Sequence, residues 1–228
     1  MTINIKRLDI RKTAFFLSLA GLVVLISAGM STGICEKKVQ DVIPENGTTI
    51  LLQVPDVRQS TNYSCGVACF QAVMSYWGGE DLREDQLIEF LNTTYEGADP
   101  EDLVQGAEKK GFRVEIRENL TLDDLKKSIE EGVPVIVGAQ AWKEENQSWE
   151  TDDSGHYMVV IGVDNKNVYL EDPSILGSRG YIPRDEFIKR WHDQSGSSTN
   201  EEIRKYVHMG IFIRGERPEE NPEFMHVN

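Results

Sequence analysis

Residues 51–78 read LLQVPDVRQSTNYSCGVACFQAVMSYWG. From Gly66 onward, Val67, Phe70, Val73, Met74 and Trp77 recur at three- and four-residue spacing and stop at Gly78-Gly79, the pattern of an amphipathic helix ended by glycine. The polar run before it marks its start, so Cys65 falls at the helix N-terminus. Backbone alone favours a thiolate there, because unpaired N–H groups and the helix dipole both stabilise negative charge. Gly66 leaves the backbone beside that thiol open to close approach. Cys69, one turn further in, reads instead as a small hydrophobe of the core. Two cysteines four apart on one helix are also too far apart for an unstrained bridge.

Downstream, Leu82 to Leu91 reads as a helix capped by Asp81, and Asp99-Pro100-Glu101-Asp102 opens another that Gly111 closes. Phe112, Val114 and Ile116 alternate with charged residues as in a half-buried strand; Thr121 and Asp124 open a further helix that ends at Gly132. The pattern then changes to strands: VPVIVGAQAW from Val133, HYMVVIGV from His156 and NVYLED from Asn167. Pro183 to Trp191 reads as a short helix and Tyr206 to Ile213 as a last strand. Helices first and strands second describe an α+β domain over 51–214, with a linker at 35–50 and a polar tail at 215–228.

The chain has 228 residues, 39% hydrophobic and 27% charged, enough to bury a sizeable core. Its formal net charge is −14, but Lys6, Arg7, Arg11 and Lys12 against Asp9 make the first 34 residues +3, leaving −17 for the rest. So acidic a body repels phosphate backbones and anionic lipid, which disfavours nucleic acid as a partner and limits membrane contact to the N-terminus. There, Ala14 to Met30 carries no charge, so residues 1–34 read as a targeting segment, either a cleaved signal or an uncleaved transmembrane anchor. Both readings send the rest of the chain outward, secreted or anchored on the outer face of the cytoplasmic membrane. Cys35 follows the apolar stretch, but Ile34 stands where a lipoprotein signal wants a small residue. On the outside, the sequons at Asn46, Asn62, Asn92, Asn119 and Asn146 are candidate glycan acceptors. Three cysteines are an odd number and no disulfide framework, so a free thiol has to be explained.

A thiol nucleophile needs a base, and there are four histidines. His156 opens an apolar strand, where a cleft can form; His192, His208 and His226 lack such a setting. Asp172 ends the next strand. If the two strands form a hairpin around Asn165 with an odd-numbered loop, Asp172 comes opposite Met158, on the face of His156 and diagonal to it; an even loop would flip it away. On that face the carboxylate can orient the imidazole and stabilise its charged form. Gln59, six residues before Cys65, offers a side-chain amide to bind an oxyanion together with the Cys65 backbone N–H. The acids at 99–102 and at 152–153 are better explained as helix-cap and loop residues than as a cation site. There is no GxxxxGK[ST] and no GxGxxG, and no cofactor or metal is expected.

The segments VPDVRQSTNYSCGVACFQAVMSYWG, GHYMVVIGVDNKNVYLEDPS and GYIPRDEFIKRWHD together resemble papain-like cysteine peptidases of family 39, the double-glycine leader peptidases, and most closely their stand-alone relatives. The resemblance implies a papain-like α+β fold, with the cysteine helix packed on a C-terminal antiparallel sheet. It also implies a site of cysteine nucleophile, histidine, aspartate and oxyanion-hole glutamine, matching Cys65, His156, Asp172 and Gln59. The best-known members head an ABC transporter and work in the cytosol. Here the expectation is a peptidase outside the membrane, without ATP, acting on a peptide or protein. The alternatives are a thiol amidase or acyltransferase on the same residues, or a catalytically silent module that binds a peptide or envelope ligand.

Overall fold

The computed structural model describes residues 49–143, 148–150, 154–175, 177, 179–195 and 203–216. The targeting segment, most of the linker with Cys35 and Asn46, and Asn146, Asp152-Asp153 and the tail beyond 216 with His226 lie outside the described residues. Among the described residues no helix is long and apolar enough to cross a membrane. The elements in chain order are α1 (Cys65–Tyr76), α2 (Glu84–Phe90), α3 (Pro100–Lys109), β1 (Arg113–Arg117), α4 (Leu122–Glu130), β2 (Val135–Gln140), β3 (Gly155–Val163), β4 (Asn167–Glu171), β5 (Gly180–Pro183), α5 (Arg184–Arg190), β6 (His192–Ser195), β7 (Arg204–Val207) and β8 (Gly210–Arg214).

The first helix starts at Cys65 and stops as its glycines dictate: Gly78 takes φ 73° and the Gly79 N–H donates to the Met74 carbonyl at 2.9 Å. It is not amphipathic. Residues from Cys65 to Phe70 and Ala72 to Met74 are all buried, because α2, α3 and β3 pack around it. The expected Asp81 cap is also corrected. Arg83 precedes α2 and its N–H donates to Gln86 Oε1 at 3.2 Å, while Asp81 accepts from Gln71 Nε2 of α1 at 3.0 Å. The other two helices begin as read: Asp99 accepts the Glu101 N–H at 3.0 Å, and Thr121 and Asp124 exchange bonds of 2.9 and 3.2 Å.

Six strands form one antiparallel sheet in the order β1-β8-β2-β3-β4-β5. Every residue of β2 and β4, and all of β3 past Gly155, is buried, so both faces of the central sheet are covered. That is why these strands read as continuous apolar runs. The expected last strand from Tyr206 to Ile213 is two strands. His208 takes φ 49°, a left-handed conformation that breaks the ladder; β8 joins the main sheet and β7 pairs with β6 in a separate ribbon.

Candidate active site

The chain is folded so that a helix start, a strand start and a strand end meet. Cys65 is the first residue of α1 and is buried; His156 is the second residue of β3 and only 1% exposed; Asp172 directly follows β4. His156 Nε2 lies 2.7 Å from Asp172 Oδ1. That oxygen also accepts the Ser174 N–H at 2.9 Å and the Ser174 hydroxyl at 2.7 Å. Burial works against the Asp172 charge, but the bond and charge of His156 and the Ser174 donors outweigh it and hold the carboxyl below its usual range.

Burial likewise opposes a charged His156. The Asp172 bond and the neighbouring Cys65 sulfur outweigh it and push the imidazole up to about 9. With Nε2 engaged by Asp172, Nδ1 is the nitrogen left for the thiol. Nδ1 is buried with no oxygen or nitrogen partner among the described residues, and the Cys65 sulfur is close enough to the ring to support its charge. One turn below, Cys69 is fully buried; burial first, then Glu171, Cys65 and Asp172, push its thiol well up and keep it neutral. Both thiols are free.

The start of α1 is left uncapped. Ser64 makes no side-chain bond to the helix, and its hydroxyl is instead engaged by the Thr61 hydroxyl at 2.8 Å. As the first helical residue, Cys65 has an N–H without an intrahelical acceptor. Gln59 donates its backbone N–H to the Pro173 carbonyl at 3.1 Å, next to Asp172. Its side-chain Nε2 donates to the Thr61 carbonyl at 2.6 Å, which fixes the amide plane and leaves the second hydrogen of that group. Gly66 has a packing role that the sequence reading did not assign: an added Cβ would come within 2.9 Å of Ala98 Cβ and 3.0 Å of Tyr157 Cδ2.

Other residues of the site were not singled out by the sequence. Trp142, 62% exposed and at φ 51°, lies tilted against His156, with ring centroids 4.6 Å apart and planes 52° apart. Tyr95 is 87% exposed and meets Tyr63, two residues before Cys65, edge-on at 5.0 Å. Glu171 is buried beside Asp172, and its place in an apolar strand was the one signal that could have found it. His192 bonds the Trp149 carbonyl at 2.6 Å, and His208 bonds the Leu120 carbonyl at 3.1 Å and stacks on Trp191, so both have structural partners. Among the described residues no group of three or more His, Cys, Asp and Glu side chains is placed to hold a metal ion.

Residues 51–199 match the model of the Peptidase_C39 like family. An uncharacterized protein of Methanothermobacter marburgensis is 30% identical over 134 residues, 58% of this chain and 80% of that protein. Another, from Methanothermobacter thermautotrophicus, is 31% identical over 119 residues, 52% of this chain and 71% of that protein. Among solved structures, a putative C39-like peptidase from Bacillus anthracis superposes with a TM-score of 0.56 at 19% identity, covering 75% of this chain and 99% of that one. The peptidase domain of Streptococcus ComA, a bi-functional ABC transporter involved in quorum sensing, gives 0.52 at 21% identity, covering 70% and 97%. These likenesses show the papain-like α+β fold expected from the sequence.

Proposed function

Because the chain belongs to the Peptidase_C39 like family, whose membership and fold support a cysteine peptidase-like function, we propose that it hydrolyses peptide bonds with Cys65 as nucleophile. The observation that carries this reading is the 2.7 Å bond from His156 to Asp172, with the Cys65 sulfur close enough to act on the same ring. The Cys65 thiolate attacks the scissile carbonyl carbon. The oxyanion that forms is met by the Cys65 backbone N–H and the remaining Gln59 Nε2 hydrogen. Protonated His156 then gives its proton to the leaving amine as the C–N bond breaks, and afterwards takes one from the water that hydrolyses the thioester. Asp172 stabilises the imidazolium throughout.

A double glycine motif protease from an AMS/PCAT transporter has been solved with a leader peptide bound. A peptide substrate for this chain rests on that likeness and on Trp142, which exposes aromatic surface beside His156. Placement outside the cytoplasmic membrane rests on the basic flank and apolar run of residues 1–34. A reporter active only outside the cytosol, fused to the C-terminus, tests it: activity supports export and a silent fusion refutes it. Catalysis is tested by digesting peptide libraries with the purified chain. Cleavage that Cys65→Ala abolishes is the expected result; binding without cleavage by the wild type would make the protein a silent peptide-binding module.

A further inference from the structure

Buried polar atoms without a hydrogen-bond partner are costly and rare, and among the described residues they are Gln59 Oε1, Thr93 Oγ1, His156 Nδ1 and Glu171 Oε2. Gln59 and His156 have roles in the proposed reaction. Glu171 has none, yet it is 1% exposed and directly precedes Asp172. A leucine would fill such a place without the cost of burying a carboxyl.

Its other oxygen shows what the carboxyl does. Glu171 Oε1 accepts the Val57 N–H at 3.2 Å, and two residues on the Gln59 N–H donates to the Pro173 carbonyl at 3.1 Å. The segment that carries Gln59 is therefore fastened to the chain immediately before and immediately after Asp172. We propose that Glu171 is a positioning residue, whose bond to Val57 holds the oxyanion donor Gln59 and the histidine partner Asp172 in one rigid frame. The inference rests on the roles assigned above to Gln59 and Asp172.

The groups facing Glu171 fit that role. Burial raises the carboxyl, with Asp56 and Asp172 adding to it and the Val57 N–H and Arg179 opposing, to about 7. Cys69 feels the charge of Glu171 from α1. A neutral Glu171 still accepts the Val57 bond through its carbonyl oxygen, and it leaves the negative charge of this corner on Asp172, where the imidazolium needs it.

The test is acylation of Cys65 by p-nitrophenyl acetate, in which the thiolate displaces p-nitrophenolate from the ester carbonyl and the released colour gives the rate. It needs only the thiol, the histidine and the oxyanion donor, so it stands even if peptide hydrolysis is refuted. At pH 6, Glu171→Leu is expected to slow acylation at least about tenfold. Glu171→Gln, which keeps an acceptor for Val57, is expected to stay within about twofold of wild type, and Glu171→Asp, one methylene short, to resemble the leucine variant. Adding Gln59→Ala to Glu171→Leu is expected to cost less than Gln59→Ala alone, because Glu171 acts through Gln59. Wild-type rates in Glu171→Leu and Glu171→Asp, or an undiminished Gln59→Ala penalty in the double variant, would overturn the proposal. Should the leucine variant fail to fold, the contrast between the Gln and Asp variants decides alone.

Discussion

His156 and Asp172 are joined by a 2.7 Å bond although the hairpin between them has the wrong loop parity for it. Val163 pairs with Val168, an even four-residue loop that by itself would set Asp172 opposite Val159, on the other face from His156. A bulge between Val160 and Gly162 inserts one residue, after which Val159 pairs with Glu171 and Asp172 falls opposite Met158. The bulge thus brings His156 and Asp172 to one face, as an odd loop would have done.

Loss of the orienting carboxylate should appear in the pH profile. His156 must be charged to protonate the leaving amine, and its proton is held up to about pH 9, so activity is expected to fall as pH rises through about 9. Asp172→Ala removes the main support of that charge. Peptide hydrolysis is expected to drop at least about 100-fold and its alkaline limb to move to lower pH, measured as kcat/KM against pH. An unmoved limb would show that Asp172 does not act on His156.

The ring beside the histidine separates stability from activity. Trp142 holds φ 51°, a conformation that costs a bulky residue about 1 kcal/mol and glycine almost nothing. Trp142→Gly is therefore expected to lose little or no Tm while activity falls, because His156 loses the tilted ring packed against it at 4.6 Å. Thermal melts and kcat on the same preparation check it.

Gly66 should not tolerate a methyl group. The added Cβ would overlap Ala98 and Tyr157 at 2.9 and 3.0 Å, next to Cys65. Gly66→Ala is expected to destabilise the fold by about 1–3 kcal/mol in urea denaturation and to lower activity with it.

Glu171 gives stability a sign that depends on pH. Its carboxyl is raised in the folded chain to about 7, so the folded state binds a proton the unfolded state lacks, and stability falls as pH rises from about 4.5 through 7. Glu171→Gln removes this titration. Relative to wild type, the variant is expected to gain on the order of 3 kcal/mol between pH 4 and pH 8, read from denaturation midpoints at the two values.

Much of this fold was legible because its boundaries are chemically marked: the glycines after Trp77, the Asp99-Pro100 start, the Thr121–Asp124 exchange. Cys65 was legible for the same reason, as a cysteine at a marked helix start. The misreadings share a cause, tertiary context overriding local pattern. Asp81 is a good cap by type but is drawn to Gln71; His208 lies in an apolar run but turns left-handed; α1 has helical spacing but is enclosed by neighbours on its other faces too. The face that Asp172 occupies depended on a bulge whose one signal was Gly162 inside an otherwise apolar strand, and Trp142 reaches His156 through a backbone conformation that tryptophan rarely adopts.

In the proposed reaction His156 and Asp172 activate Cys65 as the nucleophile. The most direct measurement of that activation is the rate of iodoacetamide labelling at pH 6, located by mass spectrometry, in wild type, His156→Ala and Asp172→Ala. Labelling of Cys65 is expected to be rapid, with Cys69 silent, and to fall at least about 100-fold in His156→Ala and by an intermediate factor in Asp172→Ala. Equal labelling rates in the three proteins, or labelling shared with Cys69, would contradict the proposed activation.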